Sequence, residues 1–374
     1  IGGVQAPNNA NSGAVAGGVV GVYAAFIQFA GFTIGRAVSQ FSAPWINYPA
    51  NNFDALVGGG SAVTGVNQFT YTADFGPGVS VSISAQDQAL YNTTNIWNTT
   101  NSTATGVIAG AYGSSSFGGM VAPDIVGMIR IDQAWGLFQA SLAAHDNHTA
   151  YYGATEATGH APDRWGWAGQ LALSINHIPT GPGDSINVQA VYTNGASRYN
   201  IQENIPSAWA MYGGAGLAGV YQSVGIAGVS DAIYSGATAA SGTGLELTTT
   251  YGFRGGYNHN WDPYWSTGIY GALAAVRYTG GAKALICSSP GMTALAPAGT
   301  CNPDFDIAQV GMITRWTPVK NLSFSAEVAY TRLDQKYSGT ITAPAAASVA
   351  KPAAVYEMKD QNTVAMLLRA QRNW

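Results

Sequence analysis

The feature that most constrains this chain is an alternation of apolar and polar residues with a period of two, repeated over many stretches of roughly ten residues. From 67 to 75 the odd positions read Phe69, Tyr71, Ala73 and Phe75, and the even positions read Gln68, Thr70, Thr72 and Asp74. The next stretch sets Val79, Val81, Ile83 and Ala85 against Ser80, Ser82, Ser84 and Gln86. Successive side chains of a strand point to opposite faces, so each stretch is a strand with one apolar and one wet face. Gly76-Pro77-Gly78 between the two is a tight turn, which makes them a hairpin.

The pattern recurs. Segments 164–178 and 184–194 flank Pro179-Thr180-Gly181-Pro182-Gly183, 245–258 and 264–278 flank a connection containing Asp262-Pro263, and 307–317 and 322–333 flank Pro318-Val319-Lys320-Asn321. Long connections fall near 42–66, 92–123, 146–163, 195–243, 279–304 and 336–356. Short turns at one end and long loops at the other are the layout of a transmembrane antiparallel β-barrel. The competing fold, a soluble sandwich, turns its apolar face inward and covers its outside with Lys and Glu. Here the polar face is mostly Ser, Thr, Gln and Asn with occasional Arg, and aromatics gather near strand ends, at Trp165/Trp167, Tyr264/Trp265 and Trp316. Interfacial girdles place aromatics there.

Composition supports the all-β barrel. Only 9% of the 374 residues are charged, against about 25% in soluble proteins. Mean hydropathy is only +0.06, because Gly and neutral polar residues replace the charge. No continuous apolar run of about 18 residues reads as a spanning helix. The nearest, 208–234, is broken by Gln222, Ser223 and Asp231 and reads as a long small-residue loop, part of it helical in the alternative. The net charge of −4 and the scattered basic residues exclude nucleic acid as a partner. No signal peptide is visible, so the chain is mature or cut at its start. Cys287 and Cys301, 14 positions apart, permit a loop-closing disulfide suited to an oxidising compartment, or remain two free thiols.

The last segment, 359–374, carries Val364, Met366, Leu368, Ala370 and Trp374 on one face and Lys359, Gln361, Thr363, Arg369, Gln371 and Asn373 on the other. It ends on the aromatic Trp374, which resembles the terminal signal read by the outer-membrane assembly machinery. The segment Phe26-Ile27-Gln28-Phe29-Ala30-Gly31-Phe32-Thr33-Ile34-Gly35-Arg36-Ala37 resembles that of the alphaproteobacterial (rhizobial-type) general porins. So do Asp163-Arg164-Trp165-Gly166-Trp167-Ala168, Asn194-Gly195-Ala196-Ser197-Arg198-Tyr199 and Arg369-Ala370-Gln371-Arg372-Asn373-Trp374. The resemblance implies a sixteen-stranded barrel in the bacterial outer membrane, assembled as a homotrimer in contact with lipid and lipopolysaccharide, with a third extracellular loop folded into the lumen.

Thirteen strands are countable, at 22–29, 32–41, 67–75, 79–91, 124–133, 135–145, 164–178, 184–194, 245–258, 264–278, 307–317, 322–333 and 358–374. With the last taken as the sixteenth, 32–41 becomes the fifth, and three strands are expected to precede residue 1; a natural thirteen-stranded barrel is the alternative. The chain reads as one barrel domain, 1–374, with 42–66 the inward-folded constriction loop and 195–243 a long extracellular loop.

A general diffusion porin needs no catalytic residue, cofactor or metal, and its site is the constriction, where radius and opposed charges set what passes. Asp54, the one charged residue of 42–66, is the acidic candidate, with Trp45, Tyr48 and Phe53 to pack the loop. The basic candidates are Arg130, Arg254, Arg315, Arg369 and Lys359, whose strand phase points inward. A charge on the lipid face at the midplane costs about 2–4 kcal/mol, so inward is the default. Arg36 is also a candidate, although Phe32, Ile34 and Val38 share its phase. The pair His145-x-x-His148 reads as a solvated loop feature rather than a metal site, and no nucleophile or phosphate-loop motif stands out. The expected activity is passive passage of ions and small hydrophilic solutes. The alternative is a structural or adhesive barrel that binds a partner or surface layer through loops such as 195–243.

Overall fold

In the computed structural model of the chain, the described residues are 4–5, 19–20, 22, 24–45, 56–59, 65–87, 94–202, 205–346 and 350–373. Thirteen strands form the main sheet. They are β1 (Ala25–Phe29), β2 (Phe32–Ala37), β3 (Val66–Gly76), β4 (Val79–Gln86), β5 (Asp124–Gln133), β6 (Gly136–Asn147) and β7 (Arg164–Asn176), then β8 (Ser185–Asn194), β9 (Thr249–Asn260), β10 (Trp265–Arg277), β11 (Phe305–Val319), β12 (Leu322–Gln335) and β13 (Gln361–Arg372). Each strand pairs antiparallel with its sequence neighbours, in the order β13 back to β1. This is the up-and-down meander of an outer-membrane β-barrel. Among the described residues no helix is long and apolar enough to cross a membrane.

The two-residue period becomes two surfaces. On β7 the outward residues Trp165, Trp167, Leu171 and Ile175 are exposed, while Ala168, Gln170, Ala172 and Ser174 are buried. On β12 Phe324, Val328 and Tyr330 face out and Glu327, Ala329 and Leu333 face in. Aromatic girdles stand where the sequence puts them. Trp165 and Trp167 lie at the long-loop end, with Trp167 stacked on Tyr192 at 5.2 Å, and at the short-turn end Trp265, Trp316 and Phe324 stack at 5.8 and 5.5 Å.

The strand ends are set by what the chain does next. β2 stops at Ala37 rather than at 41, because the Gln68 side-chain amide donates to the carbonyls of Ala37 (2.7 Å) and Val38 (2.9 Å) and draws the chain off the sheet. The long loops are structured. Segment 208–234 is neither irregular nor helical. Its strands Ala208–Gly213 and Gln222–Gly228 form a four-stranded sheet with Ala354–Met358 and Thr340–Ala343. Ser230–Tyr234 lies parallel to Asn95–Asn98 in a second sheet with Glu246–Leu247 and Ser114–Ser115. Backbone pairing over sequence distances above 130 residues supplies the hydrogen bonds that small residues cannot supply with side chains. A disulfide joins Cys287, at the end of the helix Gly280–Cys287, to Cys301, with Cα atoms 5.9 Å apart.

These loops share one apolar core with the inner wall. Trp97, Tyr112, Ile226 and Tyr356 from the loops pack in a cluster that includes Ala274 and Val276 of β10, Ile307 of β11 and Leu333 of β12.

Candidate functional site

A chain crossing a barrel interior must find partners for its backbone groups, because the wall has spent its own on the sheet. Inward-facing glutamines provide them. After Gln68 has taken hold of Ala37 and Val38, Ser39 Oγ donates to Gln86 Oε1 on β4 at 2.7 Å. Gln139 on β6 donates to the Ser42 carbonyl at 3.0 Å, and Gln170 on β7 donates to the Phe41 carbonyl at 2.7 Å. Phe41 and Ala43 are buried, with Phe41 edge-on to Tyr199 at 4.5 Å. Residues 38–43 thus follow the inner wall from β3 to β7.

Residues 56–59 lie against a different part of the wall. The Val57 N–H donates to Gln309 Oε1 on β11 at 3.1 Å, and the Gly59 N–H donates to the Asn200 carbonyl at 3.1 Å. Gly58 has φ +81°, and a Cβ there would lie 2.2 Å from the Leu273 carbonyl oxygen. A Cβ on Gly252 of β9 would lie 2.3 Å from Gly58 Cα, so backbone meets backbone with no room for a side chain. The segment returns to β3 past Gly65, whose carbonyl accepts from Arg36 Nε at 2.9 Å. One connection, between adjacent strands β2 and β3, therefore touches β3, β4, β6, β7, β9, β10 and β11.

Two wall arginines adjoin this segment. Arg130 Nε and Nη2 donate to Gln139 Oε1 at 3.0 and 2.8 Å, so the glutamine that holds Ser42 is itself held by a cation. Arg254, buried, donates through Nε to Gln189 Oε1 at 2.6 Å, and Gln189 donates in turn to Gln170. Both are cross-strand neighbours in register, Arg130 opposite Gln139 and Arg254 opposite Gln189. Arg315 and Arg369 stand on inward phases of β11 and β13 toward the short-turn end, each opposite Ser325.

Two basic candidates are placed elsewhere. Arg36 shares the outward phase of Ile34 and lies off the lumen; Thr33 and Ala37 take the inward phase. Lys359 precedes β13, and its N–H donates to the Val224 carbonyl at 3.1 Å, which puts it in the loop layer. Asp54, Tyr48, Phe53 and Trp374 lie outside the described residues.

Sequence reasoning missed an inward acid. Glu327 is fully buried on β12 and accepts from the Tyr270 hydroxyl. Its phase, opposite to Phe324, Val328 and Tyr330, was available as a signal. It also missed a buried ionic knot. His145, at the end of the strand read as 135–145, is buried rather than solvated, with Nδ1 at 2.9 Å from Asp124 Oδ1 and Nε2 at 3.8 Å from Asp231 Oδ2. Asp231 accepts from the N–H of Thr94 (2.7 Å) and from the N–H and Oγ of Ser197 (2.6 and 2.8 Å). Asp124 also accepts from Tyr199. Two wall residues and two long loops thereby share one charge cluster.

Between Leu56, Trp209 and Met211 on one side and Gln309, Thr331 and Thr363 on the other lies a cavity of about 350 Å³. A wet-walled barrel with an inner segment held against several of its strands, and with aromatic girdles outside, suits passage across a membrane. A sequence profile described as a porin subfamily matches residues 3–367. The chain belongs to this porin family. It is an outer-membrane diffusion porin, passing ions and small hydrophilic solutes through its lumen. Among solved structures, this porin is similar to the outer membrane channel DcaP of Acinetobacter baumannii, with 13% identity, 92% of this chain and 73% of that one covered, and a TM-score of 0.49. The ferric yersiniabactin uptake receptor FyuA from Yersinia pestis matches at 10% identity over 82% of this chain and 42% of that one, with a TM-score of 0.32. LpxR from Salmonella typhimurium matches at 8% identity over 81% and 88%, with a TM-score of 0.24. No curated protein matches the sequence.

Proposed function

We propose that the connection 42–66 is the constriction loop of this porin and that Asp54 and Arg130 set the charge balance of its eyelet. The observation that carries the reading is the chain of hydrogen bonds from Gln139, Gln170 and Gln309 to Ser42, Phe41 and Val57, which holds one loop against widely separated strands. Arg254 braces that loop through Gln189 and faces Gly59, whose Cβ would lie 2.3 Å from Nε. Arg315 and Arg369 line the exit at the short-turn end and act on ions there. On this reading the protein is a channel and not an enzyme. The resemblance of Phe26–Ala37 and the other matched segments supports an alphaproteobacterial, rhizobial-type porin that works as a homotrimer among outer-membrane lipid and lipopolysaccharide.

Planar-bilayer recording tests the reading. Wild type gives open-pore steps; Asp54→Asn shifts the reversal potential toward anions and Arg130→Gln shifts it toward cations, each by a few millivolts in a tenfold salt gradient. Both directions follow from removing one fixed charge at a narrow point. Unchanged selectivity in both variants excludes them from the eyelet, and a refolded barrel that never conducts overturns the channel reading itself.

A further inference from the structure

Outside the lumen, one side-chain cluster at the long-loop rim has chemistry that conduction does not use. The connection from β6 to β7 folds back on itself, with the Tyr152 N–H donating to the Gly159 carbonyl at 2.8 Å and Tyr151 bridged to His160. Residues 116–118 run along its flank, the Gly118 N–H donating to the His148 carbonyl (2.9 Å) and the Ala150 N–H to the Ser116 carbonyl (2.8 Å). This frame brings together His148, His160 and Asp163, with one ligand-capable atom of each within 4.8 Å of the others. Among the described residues no other three His, Cys, Asp or Glu side chains meet in this way.

The donor set is prepared for a cation. His160 Nδ1 lies 2.8 Å from the Ala161 carbonyl, a bond only a protonated Nδ1 can make, so Nε2 presents its lone pair. Fixing the tautomer through a carbonyl is the usual outer-shell support of a metal-binding imidazole. His148 Nδ1 lies 2.7 Å from Asp163 Oδ1, and the two imidazoles stand edge to face at 5.3 Å. Beside them Asp146, only 4% exposed, carries an Oδ1 with no hydrogen-bond partner. A buried carboxylate oxygen without a donor is costly. The neighbouring cation, Arg164, spends Nη1 on the Leu245 carbonyl at 2.6 Å.

The geometry points to a binding site for a divalent transition-metal ion of the zinc type, ligated by His148, His160 and Asp163 and neutralised by Asp146. Two imidazoles with carboxylate suit zinc and its neighbours, whereas calcium and magnesium take oxygen alone. Ligand atoms around a tetrahedral zinc stand about 3.3 Å apart. The cluster closes to that spacing by rotation of His160 and Asp163, both exposed. Bound metal pins the β6–β7 connection to the end of β6, and through the His148 carbonyl to the neighbouring loop at Gly118.

Isothermal titration of the detergent-solubilised protein with zinc chloride tests this. The expected result is one zinc per chain, with affinity lowered at least tenfold in His160→Ala and in His148→Ala and unchanged in His177→Ala at the opposite end. Zinc-edge absorption of the loaded wild type reads two imidazole nitrogens whether or not the variants fold. No zinc binding by wild type, equal binding by the double His148→Ala/His160→Ala variant, fewer than two imidazoles, or a preference for calcium overturns the assignment.

Discussion

The two halves of the inner wall differ in the balance of means by which they hold what lies against them. From β3 to β9 the inward residues include Gln68, Thr70, Ser84, Gln139, Gln170, Gln189 and Thr250, and the chain passing over them is held by named hydrogen bonds, with Phe41 also packed in a small cluster with Val126, Ala143, Ala168 and Val191. From β10 to β12 they include Ala274, Val276, Ile307 and Leu333, and the loops are held mainly by burial, with Gln309 and Gln335 accepting from the Val57 and Ile226 N–H groups. Hydrogen bonds exchange with water and contribute about 0.5–1.5 kcal/mol each, but they fix register. Burial contributes more per side chain, about 1.5–3 kcal/mol for a large one, and has no direction. The polar half thus positions a segment in a wet lumen, while the apolar half anchors a folded cap. Breaking one should leave the other in place.

The largest effect is expected from Trp97→Ala. Trp97 is 1% exposed, packs against Tyr112 at 5.2 Å, and fills space to Gly228, where a Cβ would lie 2.7 Å from the indole. Truncating a buried Trp costs about 3–5 kcal/mol. The cap should open to protease near 95–115 and 222–234 while the barrel keeps its heat-resistant folded form on gels. Loss of the barrel form with the cap would show that the two are one cooperative unit.

Alkaline pH attacks the same half by another route. Burial raises the phenols of Tyr112, Tyr278 and Tyr337 above their ordinary value, the last two well above it. The Tyr278 hydroxyl donates to the Gly228 carbonyl at 2.6 Å, which ties wall end to cap. A phenol whose folded pKa is raised contributes its full stability below the unfolded value of about 10 and loses it as pH rises further. The cap should therefore loosen only above about pH 10, seen as tyrosinate absorbance and protease cleavage appearing together. Cleavage at pH 8 to 9, with the phenols still protonated, would break the link.

The same division explains what the sequence disclosed. All thirteen wall strands were readable, because lipid on one side and water on the other impose a period on every segment independently of the rest. Trp165, Trp265 and Trp316 were readable for the same reason. The cap was not: Ser230–Tyr234 lies parallel to Asn95–Asn98, a pairing set by contacts across 135 positions and by no local pattern. His145 reads as solvated because its partners in the ionic knot, Asp124 and Asp231, are 21 and 86 positions away. The role of the glutamines was hidden differently. Gln68 and Gln86 were seen as wet-face residues, but the phase of a residue says which way it points and not what it meets. Lys359 lies past a strand end, whereas Arg36 keeps the outward phase that it shares with Ile34 in the sequence.

The smallest effect tests the polar half most directly. Gln170 donates to the Phe41 carbonyl and accepts from Gln189, which itself accepts from Arg254. Gln170→Leu keeps the volume and removes both bonds. The Phe41 carbonyl retains only a long contact to Gln139, at 3.4 Å. The loss is about 1 kcal/mol, the low end of what removing a partner from a buried polar group costs. That is too little to shift global unfolding, but it is a fivefold change in how often residues 38–43 leave the wall. The expected readout is added open-channel noise in bilayers and faster labelling of a Ser42→Cys reporter, with melting unchanged and protease resistance of the cap intact. Cap cleavage in this variant would mean that the two halves are coupled through the knot of Asp124, His145 and Asp231. In that case the polar wall does more than set register: it transmits the position of the crossing segment to the loops outside.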